Sequence, residues 1–145
     1  MPVTPEQQAF LESHRLVIVG IGRKAGPPHM SPVYYVMDGA DVIISTTASR
    51  FKARAVRKNE EISLCVLAEE FPFPYLLIYG KASIEEHGAA ETMRKIGEKM
   101  TGDPIPDSAM PAIEQRAKDE GRVVLRVKPL AFFSTMPLAN RRSSG

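Results

Sequence analysis

Short β-branched apolar runs alternate along this chain with Gly/Pro-rich breaks and a few stretches of helical periodicity. Thr4, Pro5 and Gln7 form a capping-box start. Phe10 and Leu11 give the short helix an apolar edge that fades by His14. Leu16-Val17-Ile18-Val19-Gly20-Ile21 is β-branched and too short for an independent helix, which predicts a buried strand. Gly22 to Pro28 is a loop by its Gly and Pro content. Met30 to Met37 is extended and rich in Val and Tyr, Pro32 marks a sheet edge or bulge, and Tyr34 and Tyr35 must point to opposite faces. Asp38-Gly39 predicts a hairpin turn into a partner strand over Asp41 to Thr47.

Ser49 is positioned to cap a helix running to about Lys58, with Asn59 at its end. Ile62 to Ala68 reads as a buried strand with Cys65 as a small core residue. Phe71-Pro72-Phe73-Pro74 is a rigid aromatic loop, and Tyr75 to Ile84 a strand in which Gly80 marks a bulge or close approach. Helices are expected at about Glu86 to Met100 and Asp107 to Glu120, the second stopped by Gly121. A last strand covers Arg122 to Val127, breaks at Pro129 and resumes from Leu130 to Thr135. Strict alternation of strand with long helix is missing, which disfavours a doubly wound parallel sheet. The prediction is a mainly β, α+β fold: an antiparallel barrel of six to seven strands with four peripheral helices.

Composition narrows this further. A chain of 145 residues, 43% hydrophobic, supports one core. The domain is expected to span residues 1–138, with 139–145 as a disordered tail. A single Cys excludes a disulfide framework and a Cys-pair zinc site. The longest apolar run is six residues, against the 18 or so that a spanning helix needs, and the start carries no secretory signal pattern. A soluble, cytoplasmic protein is expected, without membrane contact. Nineteen basic against 17 acidic residues leave +2, too little for a general polyanion binder.

Familiar catalytic patterns are absent. No Gly-x-Ser-x-Gly elbow occurs, and His14, His29 and His87 sit in unrelated contexts that read as surface or capping positions. Glu69-Glu70 and Glu85-Glu86-His87 are adjacent residues that point apart, so they read as solvated strand ends and no metal site is predicted. The informative segment is Ser45 to Asn59, where Arg50, Lys52, Arg54, Arg57 and Lys58 place five cations within nine residues behind the hydroxyls of Ser45, Thr46 and Thr47. Hydroxyls, free helix N-terminal N–H groups and cations together make a phosphate cradle. A solvated basic stripe would show the same pattern.

A family resemblance separates the two. Leu16–Ile21, a Gly/Pro loop, His29-Met30-Ser31-Pro32-Val33-Tyr34-Tyr35-Val36, an Asp-Gly hairpin, Ile43-Ile44-Ser45-Thr46-Thr47 and an Arg50-x-Lys52 helix start follow one another in order. Arg57-Lys58-Asn59 then leads into Ile62–Leu67, followed by Tyr79-Gly80-Lys81-Ala82 and Arg122–Pro129. This order resembles the pyridoxamine-phosphate-oxidase-like split β-barrel family, particularly its small flavin- and deazaflavin-dependent oxidoreductases. The resemblance implies a homodimer with two cofactor sites at the interface. It implies a ring against strand backbone at Ser31, Pro32 and Val33, the phosphate on Arg50 and Lys52, and Ser45, Thr46 and Thr47 along the ribityl chain. No side chain is implied as catalytic, because the cofactor carries the hydride chemistry.

Two departures bear on the ligand. The family's Arg-x-Val-Leu-Leu-Lys-type strand is here Met30-Ser31-Pro32-Val33-Tyr34-Tyr35, and its adjacent Arg-Lys pair is Arg50-Phe51-Lys52. Vitamin B6 phosphate is therefore not the expected substrate. The Ser-Pro-Val strand and Arg-x-Lys spacing look like relatives that use coenzyme F420, a deazaflavin whose polyglutamate tail suits Arg54, Arg57, Arg23 and Lys24. FMN ranks second, and FAD or haem third. A nucleic-acid-binding barrel is the remaining alternative, but Trp is absent and only Phe51 interrupts the basic run, unlike surfaces that interleave cations with aromatics.

Overall fold

Thr4 and Gln7 open the structure as a reciprocal cap, each side chain accepting the other's backbone N–H at 3.1 and 2.9 Å. The computed structural model describes residues 2–134, so the expected tail at 139–145 lies outside the described residues. Helix α1 (Pro5–Ser13) is followed by β1 (Leu16–Ile21), β2 (His29–Tyr34), β3 (Val36–Asp38) and β4 (Asp41–Thr47). Next come α2 (Phe51–Lys58), β5 (Glu61–Leu67) and β6 (Tyr75–Glu85). Helices α3 (Ala89–Thr101) and α4 (Met110–Glu120) precede β7 (Arg122–Phe133). The strands form one antiparallel sheet in the order β2-β1-β5-β6-β7-β4-β3. The predicted architecture holds.

The two edges of that sheet, β2 and β3, are separated in sequence by Tyr35 alone. Consecutive Cα atoms lie about 3.8 Å apart, so one residue cannot span a flat seven-stranded sheet. The sheet has to curl until its edges meet. Tyr35 turns fully inward at that junction and donates its hydroxyl to the Leu11 carbonyl oxygen at 2.5 Å, while Tyr34 faces out. This turn breaks the expected 30–37 strand in two.

Inside the curl, alternate residues of β1, β4, β5 and β6 form the main core with Phe10 and Leu11 of α1 and Val56 of α2. A second cluster lies on the outer face, where α3 and α4 bring Ala89, Ile96 and Ala117 against Val36, Ile43 and Val124. Helices therefore cover the β3–β4–β7 end of the outer face. Leu16, Leu67 and Tyr79 on the other strands, and Phe133 at the last residue of β7 beside β6, remain about half exposed.

Several sequence expectations need correction. Ser49 does not cap α2; Arg50 occupies that position and no side chain closes the helix start. The third helix begins at Ala89 because Gly88, at φ 85°, breaks the chain after β6. The fourth opens with a 3-10 turn over Asp107–Ala109 before α4 begins at Met110, with Pro111 in its first turn. Pro129 does not interrupt β7: it stands opposite Gly80 at the sheet's one register irregularity, where a missing N–H is tolerated. Gly80 is the close approach expected of it, since a Cβ there would sit 2.7 Å from the Lys128 carbonyl oxygen. Cys65 is half-buried on the outer face between Ile18 and Leu77, and burial pushes its thiol pKa up. Glu85 is bonded to Arg126, which also reaches Asp38 and Asp41 at 2.9 and 3.0 Å. No helix among the described residues is long and apolar enough to cross a membrane.

Candidate functional site

The turn from β4 into α2 is fixed by backbone bonds: Arg50 N–H donates to Thr47 O at 3.1 Å, and Ala48 N–H to Gly121 O at 2.9 Å. Within α2, Lys52, Ala53 and Val56 are buried, while Arg54, Arg57 and Lys58 face solvent. The basic run thus divides into two populations that the sequence pattern alone does not distinguish.

Lys52 is the unusual member. Its Nζ donates to Ser31 Oγ of β2 at 3.0 Å, its one hydrogen-bond partner among the described residues, and the residue as a whole is 9% exposed. Burial, reinforced by the nearby Arg50 charge, pushes its pKa down. A buried ammonium whose partner is a neutral hydroxyl is stabilised by any anion that reaches it. Two further features invite such a group. The α2 start has no side-chain cap, which leaves first-turn N–H groups without one. Thr46 Oγ1, in a residue 2% exposed, and Ser45 Oγ are buried without a hydrogen-bond partner.

The structure brings Ser31 and Lys52 together. Strand alternation puts Thr46 on the inner face with Val42 and Ile44, and Ser45 and Thr47 on the opposite face with Ile43. Val33 packs toward the core, whereas Pro32 points outward on β2, an edge strand. Arg50 is exposed at the N-cap.

Arg54 lies elsewhere, in a cleft of about 940 Å³ between the loop after β1 and the outer side of α2. Arg23 and Lys24 line it from the loop, and Arg54, Arg57 and Lys58 from the helix. Among these described cations only Arg57 pairs with a carboxylate, the exposed Glu86 at 3.6 Å. Phe51, packed at a tilt against His29 with ring centroids 4.7 Å apart, is a wall of this cleft. Sequence reasoning missed Phe51 and Lys58 as lining residues. The visible signal for both was their position on the Arg54 side of a short helix. An electropositive cleft with one apolar wall suits an elongated anion, and together with Lys52 it offers groups for binding and orientation.

Similarity to known proteins agrees with this fold. Among curated proteins, none matches the chain. Of solved structures, a conserved hypothetical protein from Mycobacterium tuberculosis superposes with a TM-score of 0.80 at 21% identity, covering 92% of this chain and 84% of that one. An F420 reductase superposes with a TM-score of 0.70 at 22% identity, covering 92% and 98%. The haem storage protein HutZ from Vibrio cholerae gives 0.65 at 16%, covering 92% and 94%. At these identities the likeness is one of fold. The family profile described as pyridoxamine 5′-phosphate oxidase matches residues 3–135, nearly the entire described chain, and by that match the protein belongs to the pyridoxamine 5′-phosphate oxidase family.

Proposed function

We propose that this protein is an oxidoreductase that binds coenzyme F420, with FMN as the second choice. It works as a homodimer and transfers hydride to or from a small organic substrate. The observation that carries the reading is the pairing of the Lys52–Ser31 contact with a cleft of five cations, three on the same helix and two on the loop after β1. A compact phosphate and a longer, multiply charged extension are the two anionic parts of a deazaflavin cofactor. The neighbouring F420 reductase fold supports the same choice.

When bound, the cofactor's ring supplies the hydride chemistry. The chain's own residues bind and orient. Lys52, held by Ser31, and Arg50 neutralise the phosphate, and the uncapped first turn of α2 offers N–H donors to it. The Thr46 hydroxyl gives the sugar-alcohol chain a buried partner, whereas Ser45 and Thr47 lie on the opposite face of β4. Pro32 and Val33 present the open β2 edge to the ring, while Arg23, Lys24, Arg54 and Arg57 hold tail carboxylates. Lys52 acts as a charge partner only. Haem is the competing ligand, favoured by the His29 imidazole beside Phe51.

Titration of the purified protein with F420, FMN, FAD and haemin separates these readings. F420 or FMN is expected to bind at micromolar or lower Kd. Lys52→Ala and Arg50→Ala are each expected to weaken that binding roughly ten- to a hundredfold, the value of a charge-assisted contact of about 1.5–3 kcal/mol. A Soret band with haemin and no flavin response, or unchanged flavin affinity in both variants, overturns the reading.

A further inference from the structure

The hairpin tip between β5 and β6 carries Glu69-Glu70-Phe71-Pro72-Phe73-Pro74 and buries neither of its aromatic rings. Phe71, 81% exposed, is the most exposed large apolar side chain among the described residues, and Phe73 is 58% exposed. The tip is nevertheless fixed. Ala68 N–H donates to Pro74 O at 3.0 Å and Phe73 N–H to Glu70 O at 2.7 Å, and the two rings meet edge to face at 5.9 Å. Phe73 holds φ 60°, a conformation that bulky side chains rarely adopt. Two ordered phenylalanines kept in water mark an interaction site.

The surroundings select the partner. Leu67, at the base of the tip, belongs to the uncovered outer face of the sheet. That face continues over Leu16 to the outward side of β2, where Met30, Pro32 and Tyr34 are exposed. Apolar surface thus leads from the tip to the strand on which the cofactor ring is proposed to lie. Within one protomer β1 stands between β5 and β2, so the tip is two strand spacings, about 10 Å, to the side of its own β2. Glu69 and Glu70, both exposed, oppose anionic lipid and suit a partner rich in cations, which a second copy presents around α2. We propose that the Phe71–Phe73 tip of one protomer packs against β2 of the other and forms the aromatic cover of its cofactor ring. This rests on the homodimer proposed above and deepens it: each cofactor site is incomplete without the second copy.

The chain contains no Trp, so Phe71→Trp gives a single fluorescent reporter. Its indole should resist acrylamide quenching in the dimer, open on dilution to monomer, and lose emission when the tighter binder of FMN and F420 is added. Phe71→Ser combined with Phe73→Asn, a residue that tolerates positive φ, should keep the circular dichroism and the dimer. It should weaken binding of the same cofactor about tenfold. Hybrid dimers of this double variant with Lys52→Ala, isolated through two affinity tags, decide the geometry. They should regain wild-type affinity at half their sites, because the Lys52→Ala chain lends its tip to the intact Lys52 of the other chain. Hybrids without recovery, or full cofactor affinity in the double variant, overturn the proposal and leave the function standing. So does an indole as open to acrylamide in the dimer as in the monomer. Wild-type protein that binds neither FMN nor F420 overturns the function and the covering role together, a result read before any variant is made.

Discussion

Lys99 of α3 sits with its ammonium 3.9 Å over the Tyr35 ring and 3.3 Å from the Leu11 carbonyl oxygen, the same atom to which the Tyr35 hydroxyl donates. Burial pushes Lys99 down to about 8, against the pull of Glu12, and pushes the Tyr35 phenol up. Their effects on stability have opposite signs. From pH about 8 upward, the unfolded chain keeps a lysine proton that the native protein has released, so stability rises with pH. Above pH of about 10, an unfolded tyrosine ionises while the buried one does not, and stability falls. Denaturant unfolding from pH 7.5 to 11 should therefore show a maximum near pH of about 10. Lys99→Met should flatten the rising limb and Tyr35→Phe the falling one. A steady decline of wild-type stability from pH 8 would show that Lys99 is solvated in the native protein.

At the scale of elements, α1 is tied down at both ends. Thr4 and Gln7 close its start, and at its far end Arg15 donates to Met100 O at 2.9 Å while Lys99 and Tyr35 hold Leu11. Because Phe10 and Leu11 belong to the core, loosening the start should be felt by the fold. Thr4→Ala should cost about 1 kcal/mol, roughly 2–4 °C in Tm, and α1 amides should exchange faster than those of β5. Unchanged α1 exchange would mean that tertiary contacts alone hold the helix. This cap was legible in the sequence because it uses residues three apart. The same holds for the Asp38-Gly39 hairpin and the strand alternation that separates Tyr34 from Tyr35. The start of α2 was not legible: Ser49 has the right chemistry, but the backbone bond from Arg50 N–H to Thr47 O shifts the helix start past it. The split of the basic run was equally hidden. Lys52 is buried only because β2 brings Ser31 to it from 21 residues away, a contact that no local spacing encodes.

At the scale of the whole molecule, closing the sheet through Tyr35 leaves an imbalance. Two helices cover the β3–β4 side and the first half of β7 on the outer face, and the β1–β5–β6 end, with the last residue of β7, keeps Leu16, Leu67, Tyr79 and Phe133 near half exposure. Across this end, Ile18, Cys65, Leu77 and Phe133 form one continuous apolar row in register. Contiguous apolar surface of this kind is characteristic of an interface, and a second copy of the chain is the partner that the proposed interface cofactor site requires. A two-fold pairing would need about 800 Å² from each protomer. A charge in the middle of the face opposes such burial, because a carboxylate would be desolvated without a partner. Sedimentation velocity at micromolar concentration should therefore find the wild-type protein dimeric and Leu67→Asp combined with Phe133→Asp monomeric. Both positions are already exposed in the protomer, so circular dichroism should report an unchanged fold. If the cofactor lies between the copies, the monomeric variant should also lose flavin affinity although Lys52 and the cationic cleft are intact. A monomeric wild type would remove the dimer from the functional reading. A monomeric variant with full flavin affinity would place the whole cofactor site within one protomer.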